Sequence, residues 1–138
     1  MRADDNASAR QWLGAWLTDS SGGLADVFQW HGETFSIPAG AQRIFSNAFC
    51  ANQMFVMGPH LAMQCHVEMS VEMISTWCAS WPAEVDGLDP LPATVQTPEA
   101  MLAVAPARLA AMRQLADQLY AVWIRGVNLN GMHTLGAD

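Results

Sequence analysis

The spacing of apolar residues along this chain changes several times, and each change marks an element. Between Ala7 and Leu17 the residues Trp12, Leu13, Trp16 and Leu17 recur at helical spacing. This predicts a short helix after a polar, frayed stretch from Met1 to Asn6. Asp19 to Gly23, rich in serine and glycine, is a loop. From Val27 onward the pattern shortens to apolar runs, and Val27–Trp30, Ala41–Asn47, Gln53–Met57 and Leu61–Cys65 read as buried strands. Ile37-Pro-Ala-Gly40 and Gly58-Pro59 are turns, with proline fixing φ and glycine free to take positive φ. The second of them makes the last two strands an antiparallel hairpin, and His60 a turn residue.

A helix follows at once. Ser70 is a good N-cap, Glu72 stands in the first turn where the dipole favours an anion, and Met73, Ile74, Trp77 and Cys78 form an apolar stripe. Beyond Trp81 the composition shifts to Pro82, Pro90, Pro92 and Pro98 with Gly87 and Asp89, a linker without regular structure. Thr97-Pro98-Glu99 starts a new helix with a cap, a first-position proline and an early acid. Pro106 interrupts it. Ala107 to Arg125 is then the most periodic segment, with Leu109, Met112, Ala116, Leu119 and Trp123 on one face and Gly126 as the stop. The rest, Val127 to Asp138 with His133, reads as a disordered tail. The expected organisation is thus an amino-terminal helix and linker (1–24), an α/β unit (25–81), a proline-rich linker (82–98) and a helical extension with tail (99–138).

The stretch Leu61-Ala-Met-Gln-Cys-His-Val-Glu-Met-Ser70 is where chemistry is expected. Residues two apart on a strand face the same side, so His66 and Glu68 are able to cooperate at its carboxyl end while Cys65 and Val67 face away. Strand, polar pair, helix is how open α/β sheets present working residues. Upstream, His31-Gly32-Glu33 ends another apolar run, although a histidine beside a glycine is by itself an ordinary loop residue. Zinc is rejected at Cys65-His66, because adjacent strand residues point to opposite faces and no other Cys or His pair has structural-site spacing. Met54, Met57, Met63 and Met69 are scattered among aromatics and read as core filler rather than a soft-metal site.

Composition narrows the partners. The 138 residues are 51% hydrophobic and 14% charged, which suits a globular unit with a sizeable core and a weakly charged surface open to self-association. Six Lys+Arg against 13 Asp+Glu give a net charge of −7, so nucleic acid and anionic membranes are poor partners. Three cysteines without metal spacing point to reduced thiols and a cytoplasmic setting.

Four motifs together resemble the class I glutamine amidotransferases, in particular stand-alone members similar to the glutaminase domain of GMP synthase. They are Trp30-His-Gly-Glu-Thr-Phe35, Ile37-Pro-Ala-Gly40, Cys50-Ala-Asn-Gln53 and Gln64-Cys-His-Val-Glu68, and they cover about half the chain. The resemblance implies an α/β fold, part of a flavodoxin-like sheet with flanking helices. It also implies glutamine as substrate, an ammonia acceptor as partner and no cofactor. In that family a cysteine in a G-x-C-x-G elbow attacks glutamine, and the histidine of an H-P-E motif is the base that its glutamate orients. His66 and Glu68 match the latter, with Val67 in place of proline; His31 and Glu33 fall where the family borders the glutamine cleft. The elbow is not in this sequence, since Cys50, Cys65 and Cys78 stand in Phe-Cys-Ala, Gln-Cys-His and Trp-Cys-Ala without flanking glycines. The chain therefore reads as the carboxyl-terminal half of such a domain, a shortened product that lacks the nucleophile. The other readings of these residues are a glutamine-binding pseudoenzyme and a dimerising structural fragment.

Overall fold

The computed structural model describes residues 1–19 and 22–132. In chain order the elements are β1 (Arg2–Ala3), α1 (Ala7–Leu13), α2 (Trp16–Asp19), β2 (Gln42–Ser46), β3 (Met54–Met57), β4 (His60–Met63), α3 (Val71–Ser80), α4 (Ala83–Asp86) and α5 (Pro98–Met132). The strands form one sheet in the order β1-β2-β3-β4, and helices flank it, which is the α/β class expected. Every pairing in this sheet is antiparallel. The parallel strand pairs of a flavodoxin-like sheet are not among the described residues.

The first residues are not a frayed tail. Arg2 and Ala3 pair with Ser46 and Phe45 of β2, and Asp4 accepts from Arg43 Nε at 2.6 Å and from Ser46 Oγ at 3.1 Å. Asn6 caps α1 by accepting from Ala9 N–H at 2.9 Å and donates to Arg43 O at 2.8 Å. The single helix expected from Ala7 to Leu17 is two, split at Gly14, whose φ of +47° suits glycine and not the larger residues. Gln118 Nε2 donates to Trp12 O at 3.0 Å across that break, fastening it to α5.

In β2 both Ile44 and Phe45 are buried, although strict alternation would expose one of them. A register shift between Arg43 and Phe45 resolves this, because the extra residue of a bulge re-aims its neighbour toward the core. β3 and β4 form the expected hairpin around Gly58 at φ +57°. β4 is shorter than expected, since it starts at His60, which pairs with Met57, and stops at Met63. Val27–Trp30 is not a strand; only Phe28 pairs, in an isolated bridge to His66.

α5 departs most from the sequence pattern. Thr97 caps it as expected, with Ala100 N–H donating to Thr97 Oγ1 at 3.2 Å, and the linker before it holds only the single turn α4. Pro106 lies inside the helix, on its exposed side. A proline there costs ~3 kcal/mol. Met101, Ala105, Leu109, Met112, Leu115, Ala116 and Leu119 nevertheless form one buried face across it. Fully burying a large apolar side chain yields roughly 1.5–3 kcal/mol each, so the face outweighs the break. Gly126 is not a stop either. A glycine inside a helix costs only about 1 kcal/mol, and here it faces Pro59, where an added Cβ would lie 3.5 Å from the proline's own, at ordinary van der Waals distance. The helix therefore includes Val127–Met132, while His133–Asp138 lie outside the described residues, as do Ser20 and Ser21 of the first loop. Trp123, expected on the buried face, is 42% exposed.

One apolar cluster draws on α1 (Trp12, Leu13), the sheet (Phe45, Met54), the segment after β4 (Cys65, Val67, Met69), α3 (Ile74, Cys78) and α5. α5 packs against both α1 and α3, which fixes α3 over the segment that carries the site. No helix among the described residues is long and apolar enough to cross a membrane.

Candidate active site

After β4 the chain bends at Gln64 and Cys65, then returns beside the Val27–Trp30 segment. His66 N–H donates to Phe28 O at 2.9 Å and Phe28 N–H donates to His66 O at 3.2 Å. Val67 and Met69, both buried, pin the next residues, and Ser70 starts α3 by accepting from Met73 N–H at 3.2 Å. Between these anchors His66 and Glu68 come together, with Nδ1 2.7 Å from Glu68 Oε1. They meet across a bend beyond the end of β4, not on a strand. The carboxylate only accepts, so Nδ1 carries the proton and Nε2 is left for proton transfer. The side chains are 27% and 42% exposed, so the pair is accessible from solvent.

Partial burial by itself would push the Glu68 carboxyl up. The hydrogen bond from His66, the backbone N–H groups of Glu68 and Val67 and the imidazole charge outweigh it and hold Glu68 below the usual carboxylate range. The opposite holds for Tyr120 on α5, where burial first and then the nearby Glu68 and Cys65 push the phenol up.

His31 and Glu33 lie elsewhere. They are exposed in the loop before β2 and line a cleft of about 1190 Å³ with Thr34, Cys50, Asn52 and Gln53. His31 Nδ1 is 2.8 Å from the Glu33 backbone oxygen, and Nε2 is 2.9 Å from Gln29 Oε1. Two acceptors require two ring protons. An amide rotated by half a turn supplies a donor to Nε2, and it partners the Gln29 nitrogen that is otherwise buried without one. His66 and Glu68 are not on the cleft wall. Phe28 joins the two pairs, since it lines the cleft and its ring lies 6.2 Å from the His66 ring.

The cysteines divide in two. Burial pushes the Cys65 thiol up to about 12, and burial likewise raises Cys78, so neither supplies a thiolate near neutral pH. Cys50 is only half-buried. Its sulfur lies 3.3 Å from Thr34 Oγ1 and accepts from Gln64 Nε2 at 3.5 Å; the same amide donates to Thr34 Oγ1 at 2.9 Å and to Asn52 O. Sequence spacing gives no sign of this cluster, because its members come from the loops before β2 and β3 and from the bend after β4. The contact of His66 with Trp77, whose ring centres are 4.9 Å apart, was likewise hidden, since the helical pattern shows only that Trp77 is on an apolar stripe.

An imidazole bonded to a carboxylate at the head of a helix, on an α/β frame, is an arrangement chemically able to exchange protons. Comparison with solved structures takes this further. A glutamine amidotransferase from Methylobacillus flagellatus is 36% identical and superposes with a TM-score of 0.77, covering 91% of this chain and 49% of its own. One from Thermotoga maritima is 28% identical with a TM-score of 0.61, covering 71% of this chain and 40% of its own. A third structure, at 23% identity and a TM-score of 0.70, agrees in fold. The structural neighbours are glutamine amidotransferases, and this chain shares their class I fold over most of its length. It spans about half the length of those proteins. No protein-family model matches the sequence, and no curated protein matches it significantly.

Proposed function

We propose that this chain carries the His–Glu part of a class I glutamine amidotransferase site, and that the thiol nucleophile comes from polypeptide other than the residues described. The 2.7 Å contact between His66 Nδ1 and Glu68 Oε1, in a chain that superposes on an amidotransferase, carries the reading. In the reaction a cysteine thiolate adds to the side-chain amide carbon of glutamine. His66 takes the thiol proton on Nε2 as that thiolate forms, gives it to the departing ammonia to leave a glutamyl thioester, and then takes a proton from the water that hydrolyses the thioester. Glu68 fixes the ring tautomer and stabilises the imidazolium that is present before ammonia departs and again once water has given up its proton. His31 and Glu33 shape the cleft in which glutamine binds, and the ammonia passes to an acceptor. A cytoplasmic setting suits the free thiols.

The test is glutamine added to the isotope-labelled chain, followed by NMR, together with ammonia release when the rest of the Methylobacillus amidotransferase polypeptide is supplied. Shifts at His31, Glu33 and His66, with release that His66→Ala abolishes, support the site. Glutamine that moves no resonance near these residues rejects it. A second reading, a self-associating structural fragment, is favoured by Tyr120, Trp123, Ile124 and Val127, an exposed apolar stripe on α5.

A further inference from the structure

Gln53 is 1% exposed, and its side-chain Oε1 is buried without a hydrogen-bond partner among the described residues. Its backbone is fully engaged, since the N–H donates to Phe45 O at 3.2 Å and the carbonyl accepts from Gln64 N–H at 3.1 Å. The next residue, Met54, is 0% exposed and belongs to the apolar core. Successive side chains alternate across a strand, so Gln53 projects from the other face of the sheet, the one on which Gln64 reaches Thr34 and Cys50. There it forms part of the wall of the cleft that His31 and Glu33 also line. Buried acceptors in folded proteins are almost always satisfied, so an orphan on a cleft wall is an acceptor held for a donor that a ligand brings.

The rest of the wall tells what kind of donor. Glu33 and Glu84 bring two carboxylates to the cleft, and no lysine or arginine lines it among the described residues. The Glu84 carboxylate is fixed there by the Trp30 indole N–H. His31, with the Gln29 amide turned as above, keeps a single ring proton and adds no charge. Phe28 and Trp30, stacked with centroids 5.9 Å apart, add aromatic surface. Such a wall repels anions and attracts a cation that carries N–H groups. A single buried acceptor suits a compact ammonium better than the planar fork of a guanidinium.

We infer that this cleft binds its ligand through a primary ammonium group on an alkyl chain, with Gln53 Oε1 accepting one N–H and the carboxylates of Glu33 and Glu84 balancing the charge. The inference rests on the reading of the cleft as a ligand site and names the chemistry that site selects. The ammonium belongs to an amino acid such as glutamine or to a separate alkyl amine, and the groups that recognise it are the same.

The experiment follows the isotope-labelled chain by NMR at constant ionic strength and near neutral pH, where an alkyl amine, like lysine, is a cation. Butylamine should give saturable shifts at the Gln53 side-chain amide, Glu33 and the Trp30 indole, and butyrate and butanol should not. Butylamine that moves none of these resonances, or butyrate or butanol that moves them equally, overturns the inference. Gln53→Leu should weaken amine binding by about 10–100-fold, the range for losing a hydrogen bond to a charged group, and an unchanged affinity overturns it. If that variant does not fold, Glu33→Gln on the exposed loop takes its place, with weaker amine binding expected and unchanged affinity overturning. Competition reads the source of the ammonium. Glutamine that displaces butylamine, while glutaramate, its analogue without the α-ammonium, does not bind, assigns the group to the amino acid; both bound together assign it to a separate amine. His66 keeps the two readings apart. Glutamine that leaves His66 unmoved counts against the amidotransferase site and leaves the amine result standing, whereas glutamine that shifts His66 beside a Gln53 unresponsive to butylamine removes this inference alone.

Discussion

Phe28 and His66 exchange both backbone hydrogen bonds, at 2.9 and 3.2 Å, and this one antiparallel pair ties the candidate base to the loop that lines the cleft. Residues far apart in sequence are thereby set side by side without a strand to carry either of them. His66 cannot shift along the chain unless the Val27–Trp30 segment moves with it.

The chain alone is expected to release no ammonia from glutamine. A base without a nucleophile forgoes the covalent step, and general acid–base help is typically worth only ~10²–10⁴-fold. An ammonia assay on the purified protein checks this. Release that disappears in Cys50→Ala would identify that thiol as the nucleophile and overturn the division of labour proposed above.

Glu68 gives a pH dependence with a definite sign. Its carboxyl lies below the usual range in the folded state, because hydrogen bonds, the largest from His66, outweigh the opposing burial. Its contribution to stability is therefore full above the unfolded value of about 4.3 and is lost as pH falls through the folded one. His66→Gln should raise the Glu68 titration and flatten the acid limb of the stability curve. Carbon-13 NMR of the carboxyl group and acid unfolding followed by circular dichroism read both. A Glu68 titration that His66→Gln leaves in place would show that the ring is not its principal partner.

Thiol reagents should distinguish the cysteines. Near pH ~8 the Cys65 thiol, pushed up to about 12 by burial, is protonated and inaccessible, while Cys50 stands half-open on the cleft. One fast equivalent of labelling is expected, and Cys50→Ala should remove it. Fast labelling that persists in that variant would place the accessible thiol elsewhere.

Asn6 joins a helix to the sheet, by capping α1 and donating to Arg43 O. Asn6→Ala loses the cap and leaves the carbonyl without that partner, for a cost of about 1–2 kcal/mol. Urea denaturation measures it. A midpoint unchanged from the native chain would mean that water replaces both bonds without loss.

Tyr120, Trp123, Ile124 and Val127 recur at helical spacing and are each between 36% and 52% exposed. Self-association that Trp123→Glu weakens is expected by light scattering. A monodisperse monomer over a wide concentration range, with no hydrophobic-dye binding, would count against it.

Local chemistry explains which features the sequence made legible. The β3–β4 hairpin follows from Gly58-Pro59, α3 from Ser70 and its apolar spacing, and the start of α5 from Thr97-Pro98. The His–Glu pair was legible for a sturdier reason than the strand assigned to it, since residues two apart also meet across a bend. The resemblance in four motifs agrees with the amidotransferase neighbours. Hidden features depend on distant partners. β1 is two residues long, too short for any periodicity to show, and it exists because β2 pairs with it. Pro106 and Gly126 look like breaks when read locally, but the buried face from Met101 to Leu119 carries α5 across the first, and a helical glycine costs too little to end it at the second. The wall behind His66 joins Phe28, Trp30 and Trp77 from a loop and a helix, and only the folded chain brings them together.

The seam between α1 and α5 also sets an order of events during synthesis. Trp12 and Leu13 leave the ribosome well before the helix that buries them, whose Gln118 reaches back to Trp12 O across 106 residues of chain. At ~5–20 residues per second, α1 waits several seconds with its apolar side uncovered while the hairpin and α3 are already able to form. The nascent chain is thus most exposed to chaperones and to wrong partners in that interval, and a ribosome stalled before Leu119 would leave a polypeptide that cannot close its own core.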